Sequence, residues 1–119
     1  MEIAVEIRKK LNIKQPRIVG CREGKVKRMV LALGSRGKEV YREFCEGDCE
    51  LIVGGELCEW RDCETVRDLA QMGAQKTVII LGHAGSERDG MEVLAERING
   101  KYDGAEAKYF ECEELYSYI

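Results

Sequence analysis

"KTVIILGHAGSERDGMEVLAERI", residues 76–98, changes its periodicity part-way along. Val78 to Leu81 is a mostly β-branched apolar run of the kind that parallel sheets bury on both faces. From Ser86 onward the pattern is helical, with Met91, Leu94, Ala95 and Ile98 forming an inward stripe. Ser86 reads as the N-cap of that helix, and Asp89, three positions on, as a weaker form of the capping box. A strand that feeds straight into a helix is the repeating step of α/β architecture. The same stretch holds the only histidine of the chain, His83, with Glu87 four positions later.

Working outward, residues 2–11 place Ile3, Ala4, Ile7 and Leu11 at helical spacing. Residues 17–21 and 27–34 read as two strands joined across "REGK" as a hairpin. A short helix follows with Val40, Tyr41, Phe44 and Cys45 on one face, stopped by Gly47. "CELIVGGEL" (residues 49–57) is a buried strand ending in a glycine pair, and residues 60–73 are a helix with Cys63, Val66 and Ala70 as its stripe. "EAKYFECE" closes the chain as a last strand. Crossovers dominate this order, which predicts a single-domain α/β layered sandwich over residues 1–119, with a mostly parallel or mixed central sheet and flanking helices.

Composition excludes several classes. With 45% hydrophobic and 34% charged residues and one proline, the chain is globular. Its net charge is −3 and its basic residues are interspersed with acidic ones, so it lacks the basic face that a nucleic-acid partner requires. No apolar run is long enough for a membrane span and the N-terminus has no signal-peptide core, so a soluble, cytoplasmic protein is expected. Six cysteines contain no C-x2-C knuckle, and most read as small buried hydrophobes.

In such sheets ligands sit beyond the carboxyl ends of strands, and two ends carry chemistry: "GGELCEW" and "GHAGSE". His83 and Glu87 could offer an imidazole nitrogen and a carboxylate to one divalent ion, or serve only the helix terminus and nearby backbone. Glu56 and Glu59 lie in the other loop as candidates for a catalytic carboxylate, with Cys58 between them as a soft ligand. Cys58 and Cys63, near a helix start, also admit a thiol or redox reading. "GSRGK" (residues 34–38) lacks Walker spacing and reads as a plain turn capped by Ser35, or as an anion-binding helix start.

Gly82, His83, Ser86, Glu87 and Gly90 carry a resemblance. They match the G-H-x-x-[ST]-E motif and glycine-containing helix of the NIF-three-like dinuclear metal centre proteins, also described as GTP cyclohydrolase 1 type 2 homologues. "CELIVGGELCEWRDCETVRDLAQMG" is similar to that family's strand, T-G-E, polar loop and helix. The similarity covers most of the chain but only the C-terminal half of a usual member. It implies a divalent metal, zinc, iron or manganese, held in part by His83 and Glu87, and metal-assisted hydrolysis of a small molecule of the nucleotide kind. The family's histidine pair and aspartate have no counterpart here.

Glu56 or Glu59 would then position or deprotonate a water. The alternative is a non-catalytic binding or assembly module with a degenerate pocket. Family members form rings, and Tyr109, Phe110, Leu115, Tyr116, Tyr118 and Ile119 crowd the C-terminus, so a homo-oligomer is expected, or a partnership with a separate N-terminal-half subunit.

Overall fold

The two most apolar runs of the chain become its two central strands. β3 (Leu51–Glu56) and β4 (Thr77–Ile80) lie parallel and adjacent, and Leu51, Ile52, Val53, Val78, Ile79 and Ile80 are all buried. In the computed structural model, which describes residues 2–113 and 115–119, β1 (Arg17–Gly20) and β2 (Met29–Ser35) flank them in the order β1-β4-β3-β2. β2, β3 and β4 run parallel, while β1 is antiparallel to β4. The mixed α/β sandwich expected from the sequence is therefore the fold.

Helices cover both faces of the sheet. α1 (Glu2–Lys10) and the residues after it bring Ala4 and Ile13 onto Leu51, Val53, Ile79 and Leu81. On the other face α2 (Lys38–Glu46), a π-helical turn (Glu59–Cys63) and α3 (Glu64–Gln71) bring Tyr41, Phe44, Cys63 and Val66 onto Ala32, Ile52, Val78 and Ile80. Successive residues of β3 point to opposite faces, so one strand feeds both cores. α4 (His83–Lys101) packs on β2 and β3. No helix among the described residues is long and apolar enough to cross a membrane.

The hairpin across "REGK" does not form, because β1 and β2 stand at opposite edges of the sheet. β1 pairs Ile18 with Ile79 and Val19 with Val78, and Cys21 N–H donates to the Lys76 carbonyl at 2.8 Å. The segment before β2 is drawn the other way, since Glu50 accepts the backbone N–H groups of Lys27 and Arg28 at 3.1 and 2.8 Å. Long-range partners override the short turn.

Three further expectations are corrected. No residue of α4 is buried: Met91 and Leu94 are 52% and 46% exposed, because the helix runs off the sheet and no other element covers its stripe. The C-terminal segment forms no strand among residues 105–113. It folds back along α4, where the Asn99 side chain donates to the Ala107 carbonyl at 2.9 Å and accepts its N–H at 2.7 Å, so an amide takes the place of a strand partner. Of the six free cysteines only Cys63 is buried. The radius of gyration, 16.2 Å, exceeds the about 13.5 Å of a compact chain of this length, as the projecting α4 requires.

One buried cation fixes the end of α2. Lys76 is 7% exposed, and its Nζ donates to the carbonyls of Phe44 and Cys49 at 2.8 Å each and to that of Gly47. Carbonyls at a helix C-terminus have no partner within the helix, and this ammonium supplies one. Lys76→Met keeps the apolar stem but strands these acceptors, and is expected to lower unfolding free energy by roughly 2–4 kcal/mol in urea melts. A loss below about 0.5 kcal/mol, the scale of an ordinary surface substitution, would show that the clamp is dispensable.

Candidate metal centre

Three parallel strands end at one edge of the sheet, and the loops beyond them meet there. Glu56 is the last residue of β3, paired in register with Ser35 at the end of β2. β4 is prolonged by Leu81 and Gly82, whose N–H groups donate to the Gly54 and Gly55 carbonyls at 2.9 and 3.0 Å. Gly82 then turns the chain with φ +83, a conformation that costs glycine little, and His83 opens α4 immediately.

Ser86 is thus not the N-cap. The turn at Gly82 starts the helix earlier than the sequence suggested, and Ser86 falls in its first turn. Its hydroxyl accepts the Gly34 N–H at 2.9 Å and donates to the His83 carbonyl at 2.8 Å, joining β2 to α4. Gly37 rather than Ser35 precedes α2 in the same way. Close approach explains two glycines: a Cβ on Gly55 would strike the Gly34 backbone and Ser86 Oγ, and one on Gly34 would strike the Glu87 carboxylate.

The imidazole of His83 stands between two carboxylates. Nε2 lies 3.2 Å from Glu87 Oε2, and Nδ1 lies 3.4 Å from Glu56 Oε1, with all three side chains about half exposed. Beside His83 and Glu87 is an open crevice of about 560 Å³ that Leu33, Ser35, Arg36, Ser86, Gly90 and Met91 line with those two residues, and not with Glu56. Neither Arg36 nor the bridging role of Ser86 was legible in the sequence. Glycine–serine spacing around "LGSRG" is the only signal that pointed there.

Two donors of this set fit a divalent ion. Ligands about 2.0–2.1 Å from a tetrahedral ion lie about 3.3 Å apart, close to the observed Nε2–Oε2 separation. The same distance also serves a plain ion pair. Among the described residues no three of His, Cys, Asp and Glu converge to hold one ion. The two ring nitrogens face different directions, so an ion beside Glu87 is out of reach of Glu56.

Glu59 and Cys58 do not join the cluster. Glu59 pairs with Arg17, and Cys58 is bound up in the π-helical turn, where its N–H donates to the buried Asp62 carboxylate at 3.1 Å and its carbonyl accepts the Asp62 N–H at 2.7 Å. Arg61 clasps the same carboxylate at 2.7 and 2.9 Å. Burial first, and the charge of Glu59 next, raise the Cys63 thiol above its usual pKa, the reverse of what a thiolate nucleophile needs. Burial, with Asp62 adding to it, pushes Tyr41 up to about 12. Its hydroxyl stays protonated and donates to the Glu56 carbonyl at 3.1 Å.

Comparison with known proteins identifies the family and the fold. Residues 1–114 match Duf34/NIF3 (NGG1p interacting factor 3). The chain belongs to that family. No curated protein sequence matches it. Its fold is similar to the Staphylococcus aureus hypothetical protein SA1388, with TM-score 0.72 and 21% identity over 99% of this chain and 38% of that one. A Bacillus cereus protein related to NIF3 gives 0.65 and 18% over 99% and 32%, and the protein ybgI, of unknown function, gives 0.73 and 22% over 95% and 42%. The chain therefore spans about two fifths or less of the length of these relatives.

Packing beneath the site makes a direct prediction. Gly55→Ala is expected to cost about 2–3 kcal/mol, because backbone meets backbone and cannot yield cheaply. Ser86→Ala, which removes two hydrogen bonds without a clash, is expected to cost about 1 kcal/mol. Urea melts in which Gly55→Ala equals the parent protein would contradict this packing.

Proposed function

We propose that this NIF3-family chain binds a divalent metal ion through His83 Nε2 and the Glu87 carboxylate, and that the crevice beside them takes a small-molecule substrate for metal-assisted hydrolysis. The observation that carries the reading is the 3.2 Å approach of these two side chains, one turn apart at the start of a helix that Ser86 fixes to the sheet. When bound, the ion would supply Lewis-acid polarisation and water activation near neutral pH. Leu33 and Met91 offer apolar walls, and Arg36, with no ion pair among the described residues, favours an anionic group on the substrate.

Two protein ligands hold an ion weakly, so water or residues of another chain complete the set in this reading. A second copy or a separately encoded half is the partner proposed. A second reading, a binding or assembly module with a degenerate pocket, draws on that same count of two donors.

Metal content separates the two. Untagged protein dialysed against zinc or manganese is expected to retain metal, and His83→Ala and Glu87→Gln to weaken retention at least about 10-fold, as loss of a ligand should exceed loss of an outer partner. Equal, near-zero metal in all three proteins would leave only the assembly module.

A further inference from the structure

We infer that Glu56 is a positioning residue: its carboxylate takes the Nδ1–H of His83 and so commits Nε2 to the ion beside Glu87. The inference rests on the metal-binding reading above. Nδ1 lies 3.4 Å from Glu56 Oε1 while Nε2 lies 3.2 Å from Glu87 Oε2, so the two carboxylates address opposite nitrogens of one ring. A neutral imidazole carries one proton and one free lone pair, and an acceptor at Nδ1 selects the form whose lone pair is on Nε2. Carboxylates that hold the far nitrogen of a ligating histidine fix its ring and raise its basicity.

Both ends of this contact stand on fixed backbone. Glu56 closes β3, its carbonyl held by the Tyr41 hydroxyl at 3.1 Å and its neighbour Gly55 wedged against Gly34. His83 opens α4, its carbonyl held by Ser86 at 2.8 Å. Glu59, the other glutamate of that loop, is taken by Arg17 and has no such access. Glu56 also faces away from the Glu87 side of the ring. Water activation there by its carboxylate is therefore not what its place provides, and orientation of the ligand is.

A chain with one histidine makes the test clean, since both imidazole nitrogen signals of 15N-labelled, untagged protein belong to His83. With zinc bound, long-range proton–nitrogen spectra are expected to show Nε2 as the ligand and a protonated Nδ1 that exchanges slowly with water. Glu56→Ala should speed that exchange and weaken zinc binding roughly 10- to 100-fold, with an unchanged circular dichroism spectrum. Glu56→Gln, whose amide oxygen still accepts, should recover part of both. Equal zinc affinity in Glu56→Ala and the parent protein would overturn the inference while leaving the metal reading intact, whereas ligation through Nδ1 would overturn the inference and the Nε2 assignment together. Absence of zinc from the parent protein would overturn both.

Discussion

One serine hydroxyl ties the sheet to the site. Ser86 Oγ takes a backbone N–H from the end of β2 and gives its own proton to the carbonyl of the first residue of α4. Gly55 makes room for the bridge, since a Cβ there would strike the Gly34 backbone and Ser86 Oγ. The turn at Gly82 sets where α4 begins, and the Ser86 bridge holds that first turn against β2, which fixes where His83 and Glu87 project. Parallel pairing of β2, β3 and β4 does the rest, since it delivers three strand ends to the same edge.

Next to that edge the sheet leaves apolar surface exposed. Register pairs Met29 with Leu51 and Leu31 with Val53, so the outer strand continues the apolar face that α1 covers further in. Among the described residues little covers it here: Met29 and Leu31 are 56% and 61% exposed. α4 and the C-terminal segment add Met91, Leu94, Phe110 and Tyr116 to the exposed set. Apolar surface of this extent is of the kind that marks an interaction site.

Much of the fold was legible because local pattern and burial agree. The runs "LIVGG" and "TVII" could only be inner strands, and Val66 and Phe44 sit where helical spacing placed them. The failures share a cause. The "REGK" turn, the Ser86 cap and the last strand were inferred from neighbours in sequence, whereas Glu50, Gly82 and Asn99 settle those segments through contacts or dihedrals that periodicity does not record. α4 shows the opposite case, a stripe that was read as inward and of which no residue is buried. At the strand ends, His83 and Glu87 were singled out by motif and stand together, and Glu56 meets His83 only through the order of strands. Glu59, which sits in the same loop, is separated from them by its pair with Arg17.

The central claim is that His83 Nε2 and Glu87 hold one divalent ion. Crystals grown with zinc, with diffraction recorded on both sides of the zinc absorption edge, test it without reference to any substrate. The account predicts an anomalous peak between the His83 imidazole and the Glu87 carboxylate, with Glu56 on the far side of the ring and outside the coordination sphere. An empty crevice, or a peak held by cysteines in its place, would contradict it.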